Sequence, residues 1–468
     1  MPLRTFQVVT FGCKVNQAEG EHLAARLREA GLSEAPPRTQ ADLVIVNTCA
    51  VTAEAARQGR QALRRALRAG ARVALTGCGA HPAALDKALE AMSGLDLIEP
   101  DKDRLARRLA DALGAGSRLN EAARLTPDAG PGRSRALLKV QDGCPSACAY
   151  CIVRLVRPEP RSVPIEAAVE EARRLVGAGF HELVLCGIHL GLYGLDLASN
   201  KKRPQGSFLP PQGHFRWRQC GFDTKNDPWG RFSGEDVGLS GGLAVLLEAL
   251  LAVPGLGRVR LSSLEPMEVR GDLLALMAAE PRRLCPHLHL PLQSGDDAVL
   301  RRMNRPYGAG EFLGQVAAIR QALDRPAITT DILVGFPGET PAAFENTLRA
   351  MTEARFSRVH VFPFSPRPGT PAAAMPDRVP RGTVKERRRR AAALGEALAR
   401  EYRESLIGRE AEVVVERVTA DGGAEGLSER YVRVRIAPPL GANLARRALL
   451  AVRIVRAAGD WLEAAPEA

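Results

Sequence analysis

The sequence lacks the features that would place it in a membrane or outside the cell. It has no run of about 18 apolar residues, so no segment is suited to cross a bilayer as a helix. Its first residues, MPLRTFQVV, enter a predicted strand directly and show no signal-peptide pattern. We therefore expect a cytoplasmic protein without a membrane partner. In a reducing compartment its nine cysteines are not expected to form disulfides, which leaves metal binding, catalysis or burial as their roles.

The composition is typical of a globular protein with several domains. The chain has 468 residues, of which 45% are hydrophobic and 25% are charged, enough apolar residues for large cores. This length suggests about three domains. Lysine and arginine (65) outnumber aspartate and glutamate (53), which gives a net charge of +12. Such an excess favours a polyanionic partner, but a surface adapted for solubility has the same signature, and charge alone does not separate the two.

Apolar strand patterns alternate with helical patterns through most of the chain, and this alternation predicts parallel sheets. Residues 1–117 read as a parallel-sheet α/β domain. Six further strand candidates lie within residues 135–375, too few for a closed eight-stranded barrel, so we expect a partial (β/α)6 barrel. Short strand patterns in residues 405–466 predict a small β-barrel. Residues 118–134 read as a linker, and residues 376–404 as a basic helical linker.

One segment, residues 198–240, does not fit this alternation. It has no helical or strand period and few aliphatic residues, yet it holds two of the three tryptophans, Trp217 and Trp229. A structureless loop of this length is unusual inside a compact domain. We therefore interpret it as an atypical insertion into the barrel, and we do not expect its Cys220 to bind metal.

Three cysteines with the spacing C-x3-C-x2-C follow the first predicted barrel strand: Cys144, Cys148 and Cys151. Three thiolates can hold three irons of a four-iron cluster and leave the fourth iron open to another ligand. A structural zinc site needs a fourth protein ligand, and this loop contains none. Pro145 and Ser146 indicate a loop rather than a buried core. The spacing therefore predicts an iron–sulfur cluster.

Three other cysteines each follow a predicted strand of the first domain: Cys13, Cys49 and Cys78. They lie about one strand–helix repeat apart. Because the carboxyl ends of parallel strands share one edge of a sheet, the three thiols should converge there. A single cysteine at a strand end is usually a small buried apolar residue. Three at equivalent positions predict a second three-cysteine site and a second cluster with an open iron.

These features together resemble the radical S-adenosylmethionine (SAM) methylthiotransferases. The cysteine loop at the end of a first barrel strand is similar to that of all radical SAM enzymes. The likeness to the methylthiotransferases covers nearly the whole chain apart from the insertion, and it rests on the segments GCKVNQ, NTCAVT, GIHLGLYG, RLSSLEP, HLPLQSGDDAVLRRMNRPY and TTDILVGFPGET. GCKVNQ resembles the branch that acts on threonylcarbamoyladenosine in tRNA, whereas the isopentenyladenosine branch usually begins with Gly-Cys-Gln-Met-Asn.

The resemblance implies two 4Fe–4S clusters and SAM as cofactors, and a C-terminal TRAM-like domain that binds RNA. It implies an enzyme that inserts a methylthio group at carbon 2 of N6-threonylcarbamoyladenosine, next to the anticodon of tRNA. The partners would be the tRNA anticodon stem–loop and a flavodoxin- or ferredoxin-like electron donor. Two alternatives stay open. One is methylthiolation of isopentenyladenosine, and the other is a non-catalytic RNA-binding protein whose cysteines hold structural metal.

The resemblance also implies roles for residues other than the cysteines. Residues expected near bound SAM are Tyr150, Ser263, Glu265 and Gln293. Threonylcarbamoyladenosine carries a carboxylate, which the guanidinium fork of arginine binds well. Candidates for this contact directly follow the cysteine loop: Arg154, Arg157 and Arg161. Arg154 and Pro158 depart from the family pattern.

Overall fold

A computed structural model describes most of the chain as three packed units. The residues described are 4–36, 39–85, 89, 92–112, 133–198, 241–440 and 444–467. Most of the predicted linker (residues 118–132) and residues 199–240 of the predicted insertion lie outside these ranges. On either side of that insertion, Gly194 and Gly242 are in contact, since a Cβ on Gly194 would lie 3.1 Å from the Cα of Gly242.

The N-terminal unit is a parallel sheet with helices on both faces, as the alternation of strands and helices predicts. Its strands are β1 (Thr5–Thr10), β2 (Ser33–Glu34), β3 (Leu43–Thr48), β4 (Arg72–Gly77) and β5 (Leu97–Ile98), and its main helices are α1 (Lys14–Glu29), α2 (Ala53–Arg68) and α3 (Lys102–Ala112). The strand order is β2-β1-β3-β4-β5. Alternate strand residues face opposite sides, so α1 and α3 cover one apolar face and α2 the other.

The central unit is an open barrel of six parallel strands, which confirms the predicted partial barrel. These strands are β6 (Ala136–Lys139), β9 (Glu182–Cys186), β10 (Arg258–Leu261), β11 (His287–His289), β12 (Ala327–Val334) and β13 (Arg358–Pro363). They form two three-stranded sheets joined between β10 and β11 by isolated bridges such as Ser263 with His289. A short antiparallel pair, β7 (Gln141–Asp142) and β8 (Arg161–Ser162), flanks the cysteine loop.

Helices cover the outer face of this barrel. The short helix α4 (Val153–Val156) is an exception, since it follows the cysteine loop and packs against Ala50 and Cys78 of the N-terminal unit. The others are α5 (Ile165–Gly177), α6 (Leu195–Ala198), α7 (Gly241–Leu251), α8 (Gly271–Ala279), α9 (Asp297–Arg302), α10 (Ala309–Ala322) and α11 (Pro341–Ala354). The main core lies between them and the strands, where Leu183, Leu185 and Val259 are buried. The next residues along β9, Val184 and Cys186, face the opposite side and pack against Val15 of α1. The N-terminal unit therefore lies against the inner face of the open barrel.

The C-terminal unit follows a short helix and a long one, α12 (Pro371–Ala374) and α13 (Arg381–Glu404). It is a closed barrel of β14 (Glu410–Val418), β15 (Ala424–Ser428), β16 (Arg433–Ile436), β17 (Leu449–Ala458) and β18 (Trp461–Pro466). The predicted small β-barrel is confirmed. The sequence patterns identified only three of its strands, because AEGLS and WLEAAP show little of the alternation that marks β14 and β17.

Buried charges attach the C-terminal barrel to the central one. Glu182 of β9 pairs with Arg258 and Arg260 of β10, with oxygen–nitrogen distances of 2.6 and 2.7 Å. All three side chains are at most 1% exposed. The two arginines also donate to backbone carbonyls of the C-terminal unit, including those of Leu427 (3.1 Å) and Glu429 (2.7 Å). No helix within the described ranges is long and apolar enough to cross a membrane.

Candidate active site

The three strand-end cysteines of the N-terminal unit lie together at the carboxyl edge of its sheet. Cys13 precedes α1, Cys49 directly follows β3, and Cys78 directly follows β4. Gly12 has a φ of +98° and lies so close to Cys49 that a Cβ there would be 2.7 Å from the Cys49 Sγ. Only glycine suits this position, both for its backbone and for the space available.

Two buried asparagines fix the loops that carry these cysteines. Asn16 donates from its side-chain amide to the carbonyl of Phe11 at 2.7 Å and to that of Thr48 at 3.2 Å. Asn47 donates to the carbonyl of Asn16 at 2.8 Å. The sequence analysis did not single out either residue, although both stand within the quoted segments GCKVNQ and NTCAVT.

Burial disfavours the thiolate forms of Cys13 and Cys49. It raises the pKa of Cys49 to about 11, and the neighbouring Cys13 and Cys78 add to the effect. Burial of the thiol also raises the pKa of Cys13, although the residue as a whole is accessible to solvent. Each of the three thiols lies within electrostatic range of the other two. A positively charged metal centre would favour their thiolate forms.

The barrel loop with Cys144, Cys148 and Cys151 is lined by side chains that contact its sulfurs. The Nδ1 of His189 lies 3.3 Å from the Sγ of Cys144. Arg305 donates to the Sγ of Cys148 at 3.4 Å. These two residues were missed at the sequence level, although they stand within GIHLGLYG and MNRPY.

Carboxylates hold both of these contacts in place. The His189 Nε2 lies 2.5 Å from the Oε1 of Glu268, and Arg305 pairs with Glu265. Burial opposes ionisation of Cys144, but hydrogen bonds from His189 and Ser146 together lower its pKa. Burial raises the pKa of Cys151 to about 12.

The residues expected near SAM differ in their surroundings. Tyr150 packs edge-on against Phe336, with ring centroids 6.5 Å apart, and Glu265 is linked through Arg305 to Cys148. Ser263 is exposed at the end of β10. Gln293 has a φ of +66°, a conformation that is strained for a residue with a side chain and is often found at functional sites.

Arg157 joins the two cysteine sites. Its Nε donates to the Sγ of Cys78 at 3.2 Å. Its two terminal nitrogens bind both oxygens of Glu19 of α1 at 2.7 Å, and one of them also binds Asp142 at 2.7 Å. Asp142 stands two residues before Cys144 in the chain. A single guanidinium thus connects the edge of the N-terminal sheet with the start of the barrel loop.

Apolar contacts reinforce this junction. Cys78 and Ala50 form a small cluster with Ile152, the residue after Cys151. The structure does not bring the three candidate substrate arginines together: Arg154 and Arg161 are exposed, and Arg161 pairs with Glu159, while the fork of Arg157 is occupied.

The donor sets suit four-iron clusters. In the part of the chain that the structure describes, no three His, Cys, Asp or Glu side chains converge as one ion would require. In a four-iron cluster each thiolate binds a different iron, so the sulfurs need not meet at one point. Each site has three thiols and leaves one coordination position without a cysteine.

Comparisons with known proteins agree with this arrangement. Residues 5–98 match the uncharacterized protein family UPF0004, and residues 231–351 match the radical SAM superfamily. Among solved structures, the radical SAM methyltransferase TsrM of Kitasatospora setae has a TM-score of 0.49 and 14% identity, over 79% of this chain and 75% of that one. A likeness this distant bears no functional argument.

Curated relatives are much more similar. The chain is 35% identical to threonylcarbamoyladenosine tRNA methylthiotransferase MtaB of Thermotoga maritima, over 92% of this chain and 91% of the relative. It is 31% identical to the Bacillus subtilis protein of the same name, over 91% and 88%. It is also 35% identical to tRNA-2-methylthio-N(6)-dimethylallyladenosine synthase 1 of Mycobacterium marinum, over 88% and 75%. The chain therefore belongs to the radical SAM methylthiotransferase family, whose cofactors are SAM and two 4Fe–4S clusters.

Proposed function

We propose that this protein is a tRNA methylthiotransferase that acts at carbon 2 of N6-threonylcarbamoyladenosine next to the anticodon. The observation that carries the proposal is the junction at Arg157, where two separate three-cysteine sites meet across a domain boundary. A radical SAM enzyme that only abstracts hydrogen needs one such three-cysteine site. A second cluster site beside the first can supply the sulfur that is inserted at the carbon where the radical forms.

Each site has its own role in this proposal. Cys144, Cys148 and Cys151 hold the cluster whose open iron binds SAM, within residues 135–375. Residues 1–117 hold the second cluster through Cys13, Cys49 and Cys78. When bound, SAM and the two clusters would supply the chemistry for hydrogen abstraction from an unreactive carbon, for sulfur insertion and for methyl transfer.

Side chains of the barrel prepare the first site for this chemistry. His189 and Arg305 provide hydrogen bonds to Cys144 and Cys148, and their paired carboxylates fix their orientation. We assign Tyr150, Ser263, Glu265 and Gln293 to the SAM surroundings because they lie at the carboxyl ends of the strands or beside the third cysteine, where ligands of such barrels bind.

The C-terminal unit, residues 405–466, supplies RNA contacts in this proposal. Arg433 and Arg435 lie over the ring of Trp461, at 5.4 and 4.4 Å from its centroid, on the surface of the small barrel. Cations beside a partly exposed ring suit phosphates and stacked bases. Phosphate attraction carries no sequence information, so this surface positions the RNA and does not select the modified base.

The test compares two tRNA substrates with one enzyme. Reconstituted protein is given tRNA with N6-threonylcarbamoyladenosine and tRNA with isopentenyladenosine side by side, and nucleosides are measured by mass spectrometry. We expect the methylthio product from the first substrate. Product from the isopentenyl form alone would show that the chain belongs to the other branch, which relatives of equal identity also represent.

The same preparation tests the non-catalytic alternative. Iron and zinc are measured in protein purified without oxygen. Zinc without iron would favour an RNA-binding protein with structural metal sites over an enzyme.

A further inference from the structure

A cavity of about 600 Å³ lies where the three units of the molecule meet. Its wall contains four cations and one carboxylate, together with an aromatic ring and a few neutral side chains. The residues that line it are Lys14, Gln17, Arg133, Ser134, Arg135, Leu137, Val184, Glu416, Tyr431 and Arg446. This excess of positive charge suits an anionic ligand.

The cavity lies on the inner face of the open barrel. Leu137 of β6 and Val184 of β9 belong to the face opposite the helix layer, where Val184 packs against Val15 of α1. Lys14 directly follows Cys13 in the chain and precedes Val15. The cavity thus begins one residue from a cysteine that we assign to the second cluster.

Among the residues that the structure describes, Lys14 has no carboxylate partner, whereas Arg133 pairs with Glu21 and Arg135 pairs with Glu416. It is half-buried, and its Nζ lies 5.8 Å from the centroid of the Tyr431 ring. Lys102 and Lys139 make an instructive comparison, because both pair with Glu19, at 2.6 and 2.5 Å. A half-buried ammonium without a counter-charge is costly unless a ligand supplies one.

Tyr431 forms the floor of the cavity in a constrained conformation. Its φ is +62°, which is rare and strained for a bulky residue. Its ring stacks on His287 with centroids 4.7 Å apart, and Arg260 and Arg135 lie 5.1 and 5.5 Å from its centroid. Burial raises the pKa of Tyr431, but Lys14 and the arginines outweigh it and lower that pKa. The local potential is therefore strongly positive.

We propose that this cavity recognises the carboxylate of the modified adenine, with Lys14 as the residue that determines specificity. The inference rests on the proposed function, whose substrate carries an amino-acid carboxylate on the adenine. An apolar isopentenyl arm would leave the ammonium desolvated and unpaired, so the same cavity would reject it. A phosphate of the RNA backbone has the same charge, and the experiment below distinguishes the two sources.

The experiment measures binding of reconstituted holoenzyme to three anticodon stem–loop RNAs by fluorescence anisotropy. The RNAs are identical except for the base beside the anticodon, which is N6-threonylcarbamoyladenosine, isopentenyladenosine or adenosine. The variants are Lys14→Gln, Lys14→Arg and Lys385→Gln. Lys385 is exposed on α13, so its substitution removes the same charge outside the cavity. Iron content and thermal unfolding verify that each variant folds.

We expect the wild-type protein to bind the threonylcarbamoyl RNA more tightly than the adenosine RNA. Lys14→Gln should reduce this preference about tenfold, because a charge-assisted hydrogen bond is lost. Lys14→Arg should restore most of it, and Lys385→Gln should leave it unchanged.

Two results would overturn the inference alone. One is a preference that survives in Lys14→Gln, and the other is an equal loss of affinity for all three RNAs, which would indicate a phosphate contact. A wild-type protein that prefers the isopentenyl RNA would overturn the proposed substrate as well.

Discussion

At the residue scale, three of the six cysteine sulfurs contact a basic side chain that is itself held by carboxylates. Cys144 contacts His189, Cys148 contacts Arg305, and Cys78 contacts Arg157. Hydrogen bonds to cluster sulfurs tune reduction potentials, and partners of the ligands fix their orientation. These contacts could not be predicted from spacing, because each donor comes from a distant part of the sequence.

The grouping of the cysteines in the fold could be predicted, while their role as cluster ligands stays a prediction. Cys144, Cys148 and Cys151 are close in sequence, and Cys13, Cys49 and Cys78 follow strands that parallel pairing brings to one edge. The role of Asn16 and Asn47 in fixing the loops could not be predicted, because both donate to backbone carbonyls that only the folded chain places near them. The role of Arg157 as a bridge was missed for the same reason.

Arg157→Lys is the sharpest test of that bridge. Lysine keeps a positive charge between Glu19 and Asp142 but cannot bind both and also reach Cys78. We expect the cluster of the N-terminal unit to shift to a more negative potential in a redox titration followed by electron paramagnetic resonance. Formation of the methylthio product should fall, while SAM cleavage changes less.

The matched control is Arg161→Lys, four residues along and exposed, with a partner in Glu159. It should leave the potential unchanged. An N-terminal cluster with the wild-type potential in Arg157→Lys would show that the contact with Cys78 has no influence on the cluster.

At the element scale, the strands of the barrel were predicted from their apolar patterns, but the charges on their inner face were not interpreted. RVRL was recognised as the strand β10. Both arginines of β10 face inward, because alternate residues face alternate sides, and Glu182 on the adjacent strand pairs with both. The structure explains this polar face, because the C-terminal barrel packs there and its backbone carbonyls accept hydrogen bonds from the two arginines.

Glu182→Gln should therefore destabilise the protein strongly. It leaves Arg260 without its carboxylate partner and leaves Arg258 paired only with the partly exposed Glu412. Removing one partner of a buried ion pair typically costs about 3–5 kcal/mol. Glu386→Gln is the control, since it breaks an exposed pair with Arg389 on α13 and should have little effect. The stability of the two variants is compared by urea unfolding followed by circular dichroism. Equal unfolding midpoints for the two variants would contradict the stabilising role assigned to Glu182.

The contribution of Glu182 to the stability of the fold depends on pH with a definite sign. Burial opposes ionisation of Glu182, but Arg260 and Arg258 outweigh it and hold its pKa at about 2. A depressed carboxyl pKa stabilises the fold fully above the unfolded value of about 4.3, and the contribution is lost as pH falls towards 2. The wild-type protein should thus lose stability over this range more steeply than Glu182→Gln.

At the scale of the whole molecule, three units and their order were predictable from the periodicity of the sequence. Their mutual arrangement was not, because it depends on contacts between residues such as Glu19 and Arg157 that are 138 positions apart. That arrangement is the functionally important part. It places one thiol of the N-terminal site beside the barrel loop and forms the cavity around Lys14 and Tyr431.

The central claim is that the two cysteine sites divide one reaction between them. The measurement that tests it most directly compares two reconstituted triple variants in one assay, Cys13→Ala/Cys49→Ala/Cys78→Ala and Cys144→Ala/Cys148→Ala/Cys151→Ala. SAM cleavage and methylthio product are quantified together, with iron content as the check on cluster loss. The first variant should lose about half its iron, cleave SAM and form no methylthio product, and the second should lose about half its iron and do neither. Methylthio product from the first variant, or SAM cleavage by the second, would contradict the division of labour.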